Sequence, residues 1–301
     1  MRLLFYISCF IGFAAISSCD YVTMPYPKSH GGGPVTSGNV RKVLLEDYTA
    51  AQCINCPRAS LTADQLRANN PGKVITIGVH ASSLESPVGA YGYDFRTIPG
   101  NLFDAFFVNA DISGLPNGMI NRIGYPTTTQ LISYPNWQST VATDLALPPS
   151  VLLTISNTYN TGTRTVGLSI KTKFLNAMAS TYHLTVLLTE DSIVQPQKDI
   201  DSTQFTQNCV LHWMHRHVLR DAITTSGWGD QLAFMSPHTA FMAGDSVTNT
   251  YNYVIPANFA SFTPTSSIPT LPCNDKHCSV VAFLYDDATK EVLQVEEVKV
   301  R

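Results

Sequence analysis

The stretch VLLEDYTAAQCINCP at residues 43–57 constrains this chain more than any other. Val43, Leu44, Leu45, Tyr48 and Thr49 suit a buried strand, and residues 58–68 carry Leu61 and Leu66 among good helix formers. Pro57 belongs to the first helical turn, where its missing N–H costs nothing. A Cys-X-X-Cys pair therefore sits at a helix N-terminus, where free N–H groups and the helix dipole favour thiolate over thiol. On this geometry Cys53 is expected as the exposed nucleophile and Cys56 as the resolving thiol. The competing uses are an inert disulfide or half of a zinc site. Zinc needs four ligands, and no second Cys-X-X-Cys or His-X3-His follows at a useful distance.

The N-terminus carries an address. Arg2 is a minimal positive region, and residues 3–16 form an apolar run too short to span a bilayer. Ile16, Ser17, Ser18 and Cys19 resemble a bacterial lipobox, so residues 1–18 are expected to be a signal peptide and Cys19 the acylated first residue of a lipoprotein, palmitate included. Its acyl chains would hold the chain on a membrane more firmly than a single chain could. Residues 19–40 are rich in Pro and Gly and read as a flexible tether. The formal net charge is -3 and no Lys/Arg run occurs, which removes the electrostatic footprint for nucleic acid.

Five thiols remain after Cys9 and Cys19: Cys53, Cys56, Cys209, Cys273 and Cys278. Outside the cytosol such thiols tend to pair. Cys273 and Cys278 bracket a polar turn at 274–277, so a local bridge is one pairing, and Cys209 with either is another. A metal held by Cys273, His277 and Cys278 is a further use, though a polar turn in a secreted domain accounts for these residues more simply.

Two regions differ in pattern. Residues 41–147 alternate strand and helix signals: a β-branched strand at 73–80, a helix at 101–108, a short strand after the Pro-Gly turn at 114–118, and a closing helix at 136–146. Residues 148–301 hold seven runs rich in Val, Leu, Ile, Thr and Tyr, at 150–157, 163–173, 182–189, 210–219, 248–255, 279–285 and 291–300. Seven strands in such a span predict an all-β sandwich, immunoglobulin-like in class.

A strand entering Cys-X-X-Cys at a helix start, with Gly114-Leu115-Pro116 downstream before another strand, resembles the thioredoxin fold. That resemblance implies a cis proline at Pro116 packed against the cysteine pair, and a buried acid at Asp47 that handles the proton of the resolving thiol. Glu46 is the next candidate, and strand alternation should turn only one of the two inward. The longer pattern is LEDYT, CINCP, GLPNGMINR and then HRHVLR at 215–220. It resembles the Bacteroidetes lipoproteins related to the 28-kilodalton outer-membrane protein, over residues 41–301. Gln52, Ile54, Asn55 and Leu115 depart from the residues of active thioredoxins.

A rival site is LHWMHRH at 211–217. On one strand His215 and His217 share a face and His212 points away, so metal binding would need a bend. No carboxylate follows at an obvious spacing. His80, ending a buried strand, reads as a hydrogen-bonded core residue. No Gly-X-Ser-X-Gly elbow or phosphate-binding loop is present, which removes hydrolase and nucleotide-binding functions. Two functions from different classes remain, and neither calls for a cofactor. One is thiol-disulfide exchange with protein thiols or disulfides through Cys53 and Cys56. The other is a non-catalytic surface module that meets a protein or glycan, with the cysteine pair as a structural disulfide.

Overall fold

β1 (Val43–Thr49) runs into the turn that carries the cysteines, and α1 (Cys56–Asn69) opens at the second of them. All seven residues of β1 are buried, acids included. Both faces of the strand are covered, so neither side of the pleat faces water. The structure is a computed structural model that describes residues 39–202, 208–233 and 240–301; the signal segment, Cys19 and nearly all of the tether lie outside the described residues.

β2 (Val74–His80) follows and pairs in parallel with β1. α2 (Ile98–Phe103) starts three residues before its expected first residue, because Thr97 caps it by accepting from the Gly100 N–H and Pro99 fits its first turn. It loosens into a π turn over Asp104–Val108, and α3 (Ala110–Ser113) leads to β3 (Asn117–Ile120), antiparallel to β1. α4 (Trp137–Leu145) then lies against β3. A Cβ on Gly118 would stand 2.4 Å from the buried Trp137 ring, so β3 and α4 approach only through a glycine.

The β-rich region supplies β4 (Val151–Asn160), β5 (Thr165–Phe174), β6 (Tyr182–Glu190), β7 (Ile193–Lys198), β8 (Cys209–His215), β9 (Val218–Ala222), β10 (Asp230–Gln231), β11 (Ser246–Val254), β12 (Asn258–Ala260), β13 (Thr270–Pro272), β14 (Cys278–Asp286) and β15 (Val292–Lys299). These strands do not stand together as one seven-stranded sandwich. β11, β5 and β4 form a three-stranded sheet, and β7 and β8 form a separate hairpin. β15, β14, β6 and β9 continue through β2 and β1 to β3 in one large sheet, with β10 on β6. Strands on either side of residue 147 therefore share a sheet.

The reason is visible in β14, which is apolar on both faces. Val280, Ala282 and Leu284 enter the core shared with β4, β5 and β11, whereas Val281, Phe283 and Tyr285 enter the core that holds Phe103, Phe107, Leu44 and Ile77. A strand of that kind needs cover on two sides. The junction itself is narrow: β9 meets β2 at the single pair Gly78 and Val218. Gly78 N–H donates to the His217 carbonyl at 2.8 Å, and a Cβ there would stand 3.1 Å from the Arg216 carbonyl oxygen. At the far edge β15 reaches back to the first strands. Val292 N–H donates to the Asn121 carbonyl at 2.9 Å, and Lys42 pairs with Glu296.

The expected strand over 210–219 is two strands. His217 takes a left-handed φ of 52° and breaks the run between β8 and β9. β7 gave no sequence signal, since Ile-Val-Gln-Pro-Gln-Lys contains a proline and two glutamines; among the described residues its one strand partner is β8.

Candidate functional site

Cys53 lies in the turn after β1, and Cys56 is the first residue of α1 with Pro57 next to it. The two are bonded to each other, with Cα atoms 5.4 Å apart. Leu115 packs against the pair, and the Leu115-Pro116 bond is cis. The expectation that Cys53 is exposed does not hold: Cys53 is 3% and Cys56 1% exposed. The cover comes from β7 and the residues after it. Gln197 Nε2 donates to the Ala50 and Cys53 carbonyls, each at 3.1 Å. Lys198 N–H donates to the Ala51 carbonyl at 2.8 Å and Ile200 N–H to the Ile54 carbonyl at 2.9 Å. On the outside, Arg58 and Asp201 pair at 2.7 Å. This strap was not legible in the sequence, because nothing in a Gln-Pro-Gln run marks its target.

A second residue missed by sequence reasoning is Glu85. Its buried carboxylate accepts from Ala51 N–H at 2.6 Å and Phe95 N–H at 3.0 Å, and meets His80 Nδ1 at 2.9 Å. It anchors the loop that leads into Cys53 and gives His80 its partner.

Both acids of β1 are buried, contrary to the expectation that alternation would turn one outward. Helices and strands cover both faces, so alternation separates the acids without exposing either. Glu46 makes a two-point pair with Arg122, at 2.7 Å and 2.9 Å, and the guanidinium lies within about 5 Å of the Phe103, Phe107 and Phe283 ring centres. Asp47 points to the other face, under α1. Ser60 Oγ donates to its Oδ2 at 3.4 Å, while Oδ1 is buried with no hydrogen-bond partner among the described residues. Burial pushes its pKa up to about 7; Ser60 opposes this and Asp64 adds to it.

Asp47 lines a cavity of ≈ 30 Å³ together with Pro57, Ser60, Thr76, Gln197 and His215. Thr76 Oγ1 and His215 Nε2 are also buried without a hydrogen-bond partner among the described residues. Burial, and then the neighbouring His80, pull the His215 pKa down to about 3, so its ring is neutral. The volume and the three orphaned polar atoms suit about one water molecule.

The structure does not bring the three histidines together. His212 is exposed, His215 packs against His80 and Phe95 with centroids at 5.3 Å and 4.9 Å, and His217 faces Asp64 and Asp191 at 3.7 Å and 3.5 Å. The expected shared face of His215 and His217 is lost at the turn between β8 and β9. Among the described residues no group of three or more His, Cys, Asp or Glu is set to hold a metal ion, and no helix is long and apolar enough to cross a membrane.

Fold and site together define a mostly β protein with some helices, carrying a strapped disulfide at a helix start. The family model for outer membrane protein Omp28 matches residues 103–301, about two thirds of the chain, and the chain belongs to that family. Its location is accordingly the outer membrane. The matched span does not include Cys53 or Cys56. Among solved structures, HBP35 of Porphyromonas gingivalis is similar at 14% identity over 87% of this chain and 76% of its own, with a TM-score of 0.60, which is a likeness of fold. A domain of the outer membrane lipoprotein Omp28 from Porphyromonas gingivalis aligns at 22% identity over 50% of this chain and 88% of its own, with a TM-score of 0.28, and adds nothing on the fold. No curated protein matches the chain.

Proposed function

We propose that this outer membrane lipoprotein, held by acyl chains on Cys19, uses Cys53 and Cys56 for thiol-disulfide exchange from a thioredoxin-like half that spans roughly residues 41–147. The order β2, β1, β3 with β3 antiparallel and the helix that opens at Cys56 support the thioredoxin-like reading. The single observation that carries exchange is Asp47. A buried carboxyl without a basic partner costs stability, and a pKa of about 7 suits a group that must give and take a proton near neutral pH. A structural disulfide has no use for it.

In the reaction, Cys53 thiolate attacks a disulfide of a partner protein, and Cys56 then attacks Cys53 of the mixed disulfide to release the reduced partner. Asp47, in a cavity that Pro57 next to Cys56 also lines, is the group that takes the Cys56 proton. Access requires the strap at Gln197–Ile200 to move aside, and the near-complete burial of both sulfurs favours a second reading, in which the pair is a structural disulfide of a surface module that meets a protein or glycan. A redox titration separates the two. Exchange predicts that the wild-type pair titrates above about -300 mV, the region below which structural disulfides sit, and that activity disappears in Cys53→Ser. A pair that stays oxidised throughout would leave only the second reading.

A further inference from the structure

A second pair of cysteines lies far along the chain, at the turn that joins β13 to β14. Cys273 and Cys278 are both buried, and their sulfurs stand 3.5 Å apart. Their main chains are held from several sides. Cys273 N–H donates to the Ala257 carbonyl at 2.9 Å, and its carbonyl accepts from Arg164 Nη2 at 3.1 Å. The Cys278 carbonyl accepts from Val300 N–H at 3.0 Å, and the residue sits opposite Glu190 in the sheet. Between them Asn274 caps a single turn by accepting from Lys276 N–H.

Cys209, the other partner that spacing alone left open, begins β8 in the strap hairpin and is a free thiol hydrogen-bonded with the Tyr91 side chain. No third ligand joins the two sulfurs in a metal-binding group among the described residues. A disulfide needs its sulfurs at about 2.05 Å, so closure asks for a movement of about 1.5 Å by side chains whose backbones are already placed.

We propose that Cys273 and Cys278 form a second disulfide bond, made in the oxidising envelope by exchange with a protein or small-molecule disulfide. One thiol loses its proton and attacks the oxidant's disulfide, which gives a mixed disulfide and one released thiol. The other cysteine then loses its proton and attacks the mixed disulfide, which releases the second thiol. Two cysteine thiols are thereby oxidised and one oxidant disulfide is reduced. The hydrogen bond between Cys278 and Cys273 and the burial of the Cys278 thiol both hold it far above its ordinary pKa, so the folded turn has little thiolate to offer. Both thiols are buried in the folded turn, so closure belongs to the folding chain, before the turn is covered.

The bridge would fasten a turn on which two regions converge. Asp275, between the cysteines, accepts from the Tyr159 hydroxyl of β4 and faces Arg164 and Arg301 at 3.6 Å and 3.5 Å. The Asn274 N–H donates to Glu190, whose other oxygen faces the buried Arg220. This proposal stands apart from any activity of Cys53 and Cys56.

The test is a thiol count on the full chain secreted to a bacterial envelope and extracted in detergent, denatured in the presence of an alkylating reagent and then digested. The expected result is a peptide pair joined through Cys273 and Cys278, with Cys209 alkylated. Recovery of both cysteines as alkylated thiols while Cys53–Cys56 is intact would overturn the proposal, and so would a bridge to Cys209. A second measurement uses the Cys53→Ala, Cys56→Ala double variant. Its melting temperature should fall when a reductant is present during folding, and an unchanged value with the bridge absent from both samples would also overturn it.

Discussion

Glu46 and Asp47 are neighbours on one strand, equally buried, and the protein treats them in opposite ways. Glu46 faces Arg122 with both oxygens engaged inside a ring of aromatic side chains; Asp47 faces a small cavity and one hydroxyl. A buried charge with a well-placed partner holds a structure in one arrangement. One without a partner stays protonated until the pH forces it, and so becomes chemically usable. One residue of strand register separates a structural acid from a candidate proton carrier.

The largest effect should come from breaking the paired side. Arg122→Ala leaves Glu46 buried and alone, and should cost about 3–5 kcal/mol in urea unfolding at neutral pH. Replacing Glu46 and Arg122 together by leucine should cost far less. If the double change costs as much as the single, the contrast between the two acids is not one of charge pairing.

Next comes the unpaired side. The Asp47 pKa is raised on folding, so the folded chain binds the extra proton. Its penalty is absent below about pH 4, grows as the pH rises to about 7 and is constant above that, on the order of 4 kcal/mol when complete. His215 has the opposite sign: its pKa is lowered, so its penalty appears as the pH falls from about 6.5 toward 3. In the wild type the two slopes offset each other between about pH 4 and 6.5. In Asp47→Asn the His215 slope should stand uncovered, with stability rising over that window, and the variant should gain on wild type as the pH goes from 4 to 8. Unfolding curves at several pH values check this, and parallel profiles would return Asp47 to an ordinary pKa.

A smaller effect is expected at the strap. Gln197→Ala removes two hydrogen bonds over the cysteine turn, and in the reduced protein Cys53 should then alkylate several-fold faster while the fold persists. The smallest belongs to Arg58→Ala. That pair with Asp201 is exposed at 43% and 63%, and its loss should leave the melting temperature unchanged within error.

Much of the site is legible in the sequence wherever chemistry is local. The strand, the cysteine spacing, the helix start at Pro57 and the turn before Pro116 are short-range features, and each stands where its residues place it. The cover over Cys53 is not local, since Gln197 lies well over a hundred residues away and carries no pattern that names its partner. The same limit explains the β-rich region. Alternation in 182–189 and 279–285 marked strands, but it could not say that β6 and β14 would extend the sheet of β1 and β2 instead of closing a separate sandwich.

The sequence by itself determined the family membership, the cysteine pair at a helix start and most of the strands, because periodicity and short spacing act within a few residues. Only the tertiary structure decided which face each acid of β1 meets, that the sheet runs unbroken through Gly78 and Val218, that His215 and His217 part company, and which thiol Cys273 stands beside. Those outcomes depend on burial and on contacts between distant segments, and they are fixed when the whole chain closes around its cores.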